Sequence, residues 1–231
     1  MSRIFITGDT HANIDIQQVD AFSEIHQDLI RDDFLIVLGD FGALWFGDSR
    51  DDKLLQWWEN QPWTTLFIDG NHENFDLLAQ YPITEWHGGH VQFIRPHVLH
   101  LMRGQIFDIN GFTFFCMGGA RSIDKEYRLT GISWWPQEEP SWTEMDEGLS
   151  NLEAHNNTVD FILAHTAPGA IAQIVVNGYG YANEPLNSYL NMVVSQTTFK
   201  KMFIGHFHID RVVHERFHFL YDDIVEITAE G

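Results

Sequence analysis

The sequence predicts an α/β domain in which buried strands alternate with helices that cover the sheet on both sides. Three observations support this prediction: apolar runs of strand length, intervening stretches with apolar residues at helical spacing, and a length of 231 residues that fits one compact domain over residues 1–231. Near-continuous apolar strands separated by helices are typical of a sheet with both faces covered. In the first third we predict strands at residues 3–7, 34–38 and 64–68, and helices at residues 14–30 and 51–60.

The rest of the chain adds shorter strands and a long loop. An Asn110-Gly111 pair marks a tight hairpin turn between two strands. Residues 118–141 are polar and aromatic and are predicted to form a loop, a kind of segment that often carries function. We predict strands at residues 91–94, 98–102, 105–109, 112–117, 159–164 and 200–204, helices at residues 142–155 and 186–198, and a C-terminal hairpin formed by residues 216–220 and 224–228.

Composition and charge limit the classes of function. The chain has 33 acidic and 13 basic residues, a formal net charge of −20, which disfavours a general role in coating nucleic acid. Its apolar runs are too short for a membrane span, and its N-terminus leads into a strand rather than a signal peptide. With a single cysteine, Cys116, expected to be a buried and unreactive thiol, these features favour a cytoplasmic location.

Polar side chains follow five of the predicted strands at the point where each strand ends. Ligands in open α/β sheets gather beyond the carboxyl ends of the strands, so we expect these side chains to meet in one region. The five strands are followed, in chain order, by Asp9 and His11, by Asp40, by Asn71 and His72, by His165, and by His206 and His208.

The residue types in these clusters indicate a metal site. Asp-x-His and His-x-His each place two side chains on the same side of an extended segment. Carboxylates, an amide oxygen and imidazoles suit manganese, iron, zinc or cobalt, and the lack of thiolates argues against a structural zinc site. Glycine stands just before four of the clusters, at positions 8, 39, 70 and 205, where it permits a sharp turn and lets the backbone approach the metal.

Any one of these motifs alone is most often a simple turn, but all five together are highly specific. The set resembles the motifs of the calcineurin-like metallophosphoesterase superfamily, in particular of its small bacterial and phage-type members. The resemblance implies an αββα double β-sandwich flanked by helices and a metal-dependent phosphoric ester hydrolase. It is carried by Gly8-Asp9-Thr10-His11, Gly39-Asp40, Gly70-Asn71-His72-Glu73, His165 and Gly205-His206-Phe207-His208.

The resemblance also implies a role for each motif residue. His72 would stand beside the leaving-group oxygen as a general acid or an electrostatic stabiliser, and Glu73 would orient His72. One metal would be held by Asp9, His11 and His208, a second by Asn71, His165 and His206, and Asp40 would bridge the two.

Two divalent cations would explain why the family needs this set of ligands. Manganese is the expected metal, with iron, zinc, cobalt or nickel as alternatives. A pair of cations activates a bridging hydroxide for in-line attack on phosphorus and neutralises charge on the phosphoryl oxygens. Because protonated imidazole cannot bind a metal, we expect activity to fall in mild acid.

The substrate is less sharply indicated by the sequence. Serine/threonine protein phosphatases of this superfamily have an arginine before the Gly-Asn-His-Glu motif and another soon after the Gly-Asp motif; here Asp69 precedes Gly70, and both arginines are missing. In the loop 118–141, Arg121 or Arg128 offers a bidentate phosphate contact. The alternative is that these arginines pair with neighbouring acidic residues on a solvated surface.

Aromatic residues flank the two arginines of the loop. We expect Trp134, Trp135 and Trp142 to anchor the loop to the core rather than to stack on a nucleobase.

Three functional hypotheses follow from these residues. The leading one is a dinuclear-metal phosphoesterase that hydrolyses a small or nucleotide-like phosphomonoester or phosphodiester, with no general role in coating nucleic acid and no membrane partner. The second is a serine/threonine protein phosphatase. The third is a metal-binding scaffold without catalysis, although such proteins usually lose ligands that this chain retains.

Overall fold

Two β-sheets packed face to face form the centre of the protein, as a computed structural model shows, and helices cover their outer faces. The structure describes residues 2–176 and 184–228. This arrangement confirms the predicted α/β class and the αββα sandwich that the motifs imply. The strands are β1 (Ile4–Thr7), β2 (Phe34–Val37), β3 (Thr64–Phe67), β4 (Ile83–Trp86), β5 (Gly89–Arg95), β6 (Val98–Leu101), β7 (Ile106–Ile109), β8 (Phe112–Met117), β9 (Phe161–Ala164), β10 (Lys201–Ile204), β11 (Arg211–Val213), β12 (Phe217–Phe219) and β13 (Ile224–Glu226).

Each sheet is mixed, with parallel strands at its centre. The first sheet has the order β13-β1-β2-β3-β6-β5-β4, and its four central strands, β1, β2, β3 and β6, are parallel to one another. The second has the order β11-β12-β10-β9-β8-β7, with β8, β9, β10 and β12 parallel. Parallel strands end at the same edge of a sheet, so the polar residues after β1, β2 and β3 lie together, as do those after β9 and β10.

The alternation of side chains along each central strand explains the layers. In β1, Ile4 and Ile6 point into the core between the sheets, while Phe5 points outward to a helix-covered core. In β8, Cys116 faces the core between the sheets and Met117 faces the opposite, helix-covered side. Cys116 is buried, as expected, and burial raises the pKa of its thiol, which disfavours the reactive thiolate.

Six helices cover the outer faces of the sheets in the described residues. They are α1 (Gln17–Ile25), α2 (Ser49–Glu59), α3 (Phe75–Leu78), α4 (Trp142–Ala154), α5 (Gly169–Val175) and α6 (Pro185–Gln196). The first three pack on the first sheet and the last three on the second. No helix among them is both long enough and apolar enough to pass through a bilayer.

Several elements differ from the sequence prediction. Helix α1 is shorter than the predicted 14–30, because residues 10–15 turn back and bond to the loop after β2, and Ile14 and Ile30 are exposed. The predicted C-terminal hairpin is wrong: β12 pairs with β10 and β11 in the second sheet, whereas β13 pairs with β1 in the first. Strands β4 and β11 and helices α3 and α5 were not predicted, since each is short.

A buried ion pair fastens the end of β3 to the residues that follow β6. Both Asp69 and Arg103 are buried, and Arg103 Nε donates to Asp69 Oδ2 over 2.8 Å. His100 Nε2 lies 3.1 Å from the other carboxylate oxygen. Arg103 also donates to the carbonyl oxygen of Gln137 over 2.8 Å, so this pair holds the far end of the loop 118–141 as well.

The acid stability of the protein is expected to depend on Asp69. Burial opposes its charge, but Arg103 and His100 outweigh burial and lower the pKa of Asp69 to about 2. Because the folded-state pKa lies below the unfolded value, the stabilisation is present above about pH 4 and lost as the pH falls towards 2. Asp69→Asn should lower the free energy of unfolding at neutral pH by about 3–5 kcal/mol, since it leaves Arg103 buried without its counter-ion.

Chemical denaturation of the wild type and Asp69→Asn from neutral pH down to about pH 2 measures this effect. The matched control is Asp32→Asn, which removes the same charge from an exposed side chain. Equal stability of Asp69→Asn and the control at neutral pH would contradict the assigned role of the ion pair.

Candidate metal centre

The ends of β1, β2, β3, β9 and β10 meet at one place between the two sheets. The structure brings together all eight side chains that the sequence singled out. Three groups of metal-binding atoms form there, and the atoms of each group lie within 4.8 Å of one another. The groups are Asp9, His11 and His208; His11, Asp40 and His72; and Asp40, His165 and His206.

Asp40 stands at the middle of this cluster. Its Oδ2 lies 3.1 Å from His11 Nε2, and its Oδ1 lies 3.3 Å from His165 Nε2. The backbone N–H of His72 donates to Oδ1 over 2.7 Å. Asp40 is 1% exposed, so one buried carboxylate touches ligands that come from different sheets.

The first group gathers around Asp9. Asp9 Oδ2 lies 3.1 Å from His208 Nε2, and the backbone N–H of His206 donates to Asp9 Oδ1 over 2.9 Å. On the far side of His11, Nδ1 lies 2.8 Å from a carboxylate oxygen of Asp15. A carboxylate close to one ring nitrogen, with the other nitrogen turned towards the metal, is the usual arrangement for a metal-binding histidine.

The second group shows most directly that the residues fit a cation. His165 Nδ1 lies 2.7 Å from the carbonyl oxygen of Leu38, which can only accept, so Nδ1 carries a proton. The other nitrogen, Nε2, lies 3.1 Å from Asn71 Oδ1 and 3.3 Å from Asp40 Oδ1. In neutral His165 these three atoms all present lone pairs to one another, and a cation among them would satisfy all three.

The pKa values of the histidines also indicate that the centre suits a cation. Burial lowers the pKa of His165, but Asp40 and Asp9 outweigh burial and raise it to about 10. At His11 burial is again outweighed, chiefly by Asp40, and the pKa rises to about 9. Burial and the neighbouring His165 lower the pKa of His206 to about 4. The centre therefore attracts positive charge, which protons or divalent cations can supply.

The backbone of the centre is strained. Positive φ angles occur at His11 (41°), Asp40 (47°), His206 (66°) and His208 (49°), although none of these residues is glycine. Such conformations cost of order 1–3 kcal/mol each and persist only where the surrounding structure fixes them. Their concentration at the candidate metal-binding positions is typical of a functional site.

The glycines before the ligands are required mainly for close packing. A Cβ atom at Gly70 would lie 2.1 Å from Asp40 Oδ1, and one at Gly205 would lie 2.5 Å from Asp9 Oδ1. At Gly39 a Cβ would lie 2.3 Å from His165 Nδ1, and there φ is also positive, at 92°. The expected sharp turn therefore applies at Gly39, while close approach to a ligand explains Gly70 and Gly205.

His72 lies beside the centre, next to an arginine of the loop 118–141. Two terminal nitrogens of Arg128 lie 3.2 Å and 3.1 Å from the two ring nitrogens of His72. Arg128 Nε is held by Asp124 over 2.8 Å. Burial is the largest cause that lowers the pKa of His72, and Arg128 adds to it, so the imidazole is neutral at physiological pH.

Glu73 lies elsewhere than the sequence suggested. Its two carboxylate oxygens accept hydrogen bonds from the backbone N–H groups of Phe41, over 2.7 Å, and Gly42, over 3.2 Å. In the described residues these are the hydrogen bonds of its side chain, and neither reaches His72. We therefore correct the expectation that Glu73 orients His72: the contacts of Glu73 support the loop that follows Asp40.

The loop 118–141 places its other predicted residues differently. Arg121 forms an ion pair with Glu184 rather than lying at His72. Trp135 is buried and donates to Asp76 over 2.8 Å, so it anchors the loop as expected. Trp142 is 75% exposed, and the expectation that it packs on the core is wrong.

Sequence reasoning missed the residues that support the ligands. Asp15 holds His11, and Tyr221 stacks on His208 with ring centres 4.6 Å apart. Ser122 and Glu138 are buried behind Asn71. Asp15 could have been found from the sequence, because it lies only four residues after His11. Tyr221, Ser122 and Glu138 are distant in sequence from the residues they contact.

The family model of the calcineurin-like phosphoesterases matches residues 2–210. The chain belongs to this family. It is a metal-dependent phosphoric ester hydrolase, and the ligand set of the centre accords with that activity. The fold and motifs of the family, inferred from the resemblance, are confirmed.

The solved structures that resemble this one are distant in sequence. One superposes with a TM-score of 0.52 at 11% identity, covering 94% of this chain and 89% of the other, and this similarity concerns the fold alone. A second is the phosphopantetheinyl hydrolase PptH of Mycobacterium tuberculosis, with a TM-score of 0.45, 16% identity, and coverage of 94% and 88%. Among curated proteins, none matches the sequence at a significant level.

Metal affinity is expected to rise with pH. The raised pKa values of His11 (about 9) and His165 (about 10) mean that protons compete for the ligands well above neutral pH. Binding of Mn²⁺ must displace these protons, so the apparent affinity should increase about tenfold per pH unit for each proton displaced. Titration calorimetry between about pH 6 and pH 9, in buffers of different ionisation enthalpy, counts the protons released.

His97→Gln is the control, because it removes a histidine paired with Glu59 outside the centre. It should leave proton release unchanged, whereas His165→Gln should reduce it. An affinity that does not change with pH would contradict the assignment.

Proposed function

We propose that this phosphoesterase uses two divalent cations, manganese first among them, to hydrolyse a small or nucleotide-like phosphomonoester or phosphodiester. The observation that carries the proposal is the position of Asp40, whose two carboxylate oxygens face ligands of different groups, His11 through Oδ2 and His165 through Oδ1. A carboxylate in that position suits a bridge between two metals. Asp9, His11 and His208 would hold one cation, and Asn71, His165 and His206 the other.

The bound cations would supply Lewis-acid activation of water and neutralise charge on the phosphoryl group. The protein holds the side chains that would bind the cations in fixed positions. Asp40 is fixed by the N–H of His72, and His165 by the carbonyl of Leu38, so both present their lone pairs in one direction. Buried, fixed ligands need no reorganisation when the substrate binds, which favours the transition state.

His72 and Arg128 form the substrate side of the proposed site. The neutral imidazole of His72 can donate an N–H to a phosphoryl or leaving-group oxygen, which favours hydrogen-bond stabilisation over proton donation by an imidazolium. Arg128 has Asp124 on its Nε and both terminal nitrogens at His72. Asp124 and the carbonyl oxygen of Ser133 hold the guanidinium in place beside His72, where its positive charge suits a phosphate that approaches this histidine.

The surroundings of Arg128 support an organic substrate group larger than phosphate alone. Tyr127 is 90% exposed and Leu129 65% exposed, on either side of Arg128 in the sequence, and Ile132 is also exposed. Exposed apolar side chains beside a phosphate-binding group suit an aromatic or nucleotide-like leaving group. The net charge of −20 disfavours a nucleic-acid polymer.

The alternative of a serine/threonine protein phosphatase receives less support. Asp69 stands where those enzymes carry an arginine, and it is engaged by Arg103 and His100 in a buried network. Residue 69 therefore cannot supply the positive charge that would bind the phosphate of a phosphoprotein. The alternative of a metal-binding scaffold without catalysis is also less supported, because such proteins usually lose ligands, whereas this chain retains all seven candidate ligands and His72.

Asp40→Asn tests the bridging role. Replacing a carboxylate with a neutral amide should weaken retention of both cations and lower kcat for an aryl phosphate or a bis-aryl phosphate by about a thousandfold. Hydrolysis with Mn²⁺ is measured together with the metal content of the dialysed protein. The control is Asp32→Asn on the surface. Turnover by Asp40→Asn equal to that of wild type would refute the proposal.

Arg128 and Arg121 provide a matched pair for the phosphate contact. Arg128→Ala should lower kcat/KM about a hundredfold, because it removes a charged donor at His72, whereas Arg121→Ala should change it little. Steady-state kinetics with the better aryl ester measures both, and metal content should stay at the wild-type level. Equal losses in the two variants would show that Arg128 does not contact the phosphate.

A further inference from the structure

A buried chain of hydrogen bonds leads from the loop 118–141 to Asn71. Asn71 Nδ2 donates to Ser122 Oγ over 3.1 Å, and Ser122 Oγ donates to Glu138 Oε2 over 2.6 Å. The backbone N–H of Ser122 donates to Glu138 Oε1 over 2.9 Å. The exposed fractions are 6% for Asn71, 2% for Ser122 and 0% for Glu138, so water does not compete with these bonds.

The direction of every bond in this chain follows from Glu138. A carboxylate only accepts hydrogen bonds. Each of its oxygens therefore accepts one from Ser122, Oε1 from the backbone N–H and Oε2 from the hydroxyl. With its proton committed to Glu138, Ser122 Oγ can only accept from Asn71. The amide of Asn71 must therefore turn its NH₂ group to Ser122 and its oxygen to His165.

This orientation matters because the two ends of an amide are nearly equal in size and opposite in chemistry. The oxygen binds a cation, and the NH₂ group repels it. We propose that Ser122 and Glu138 are positioning residues that fix the Asn71 amide with Oδ1 towards the second cation. The inference rests on the proposed dinuclear centre and gives the loop 118–141 a task in metal binding.

The packing around Glu138 keeps this carboxylate in place. The backbone N–H of Ala120 donates to the carbonyl oxygen of Glu138 over 3.1 Å. A Cβ atom at Gly119 would lie 2.5 Å from that same oxygen, so the two ends of the loop are in close contact. Glu138 is thus held by backbone contacts with the first residues of the same loop.

A double-mutant cycle separates this role from simple support of the loop. In Asn71→Asp either side-chain oxygen can bind a cation, so no orientation has to be fixed. Ser122→Ala alone should weaken binding of the second Mn²⁺ about tenfold or more, since the amide is free to turn over. In the Asn71→Asp background the same substitution should cause little further loss. Mere support of the loop would produce equal losses in both backgrounds.

Glu138→Gln provides an independent variant with an almost unchanged shape. An amide at this position places an NH₂ group against one of the two donors of Ser122, so the direction of the chain is no longer fixed. We expect the same loss of the second Mn²⁺ as in Ser122→Ala. The matched control, Glu139→Gln, removes the same charge one residue later from a partly exposed side chain and should bind as wild type.

Binding is followed by calorimetry and by electron paramagnetic resonance, where the exchange-coupled signal of a manganese pair is distinct from that of a single ion. Near-UV circular dichroism checks that each variant is folded. At limiting Mn²⁺ the coupled signal should be weaker in Ser122→Ala and Glu138→Gln than in the wild type, whereas adding Ser122→Ala to Asn71→Asp should weaken it little below the level of Asn71→Asp alone. Wild-type affinity in both single variants, or equal losses in the two backgrounds, would overturn the inference.

Failure of the proposed function gives a different result. If the wild type itself never shows the coupled signal at saturating Mn²⁺, the dinuclear centre is refuted, and the positioning role is refuted with it. If the wild type shows the signal and the variants keep it, only the positioning role is refuted.

Discussion

The contact of the Asp40 carboxylate with His11 and His165 is the interaction on which the rest of the centre depends. Asp40 follows β2 of the first sheet, and His165 follows β9 of the second, so this buried carboxylate joins the two halves of the sandwich. Burying a carboxylate is unfavourable unless charge or hydrogen bonds compensate it. Imidazoles and the N–H of His72 do so here, and cations would do so more strongly.

The fold holds the candidate ligands close together although their backbone conformations are unfavourable. Four candidate metal-binding residues have positive φ angles, and the contacts around the neighbouring glycines leave no room for a side chain. The apolar core between the sheets is continuous beneath the centre and fixes the strand ends from which the ligands project. The stable packing of the sandwich thus maintains strained backbone conformations at the site, a common feature of catalytic centres.

The loop 118–141 completes the site from outside the sheets. Arg103 ties it to Asp69 at the end of β3, Ser122 and Glu138 connect it to Asn71, and Arg128 lies on His72. One segment therefore contacts the candidate metal ligands on one side, and in the proposed function it would present a cation to the substrate on the other. Variation in this loop can change substrate preference without changing the ligands that the strands provide.

The sequence by itself determined the α/β class, the central strands and all eight side chains of the centre, because apolar runs and the polar residues that follow them are local patterns. Tertiary structure alone decided that residues 217–219 and 224–226 join different sheets, that Glu73 supports the Asp40 loop, and that Arg128 rather than Arg121 reaches His72. The physical reason is that pairing partners and side-chain contacts depend on which distant segments pack together, and spacing along the chain carries no record of those distances.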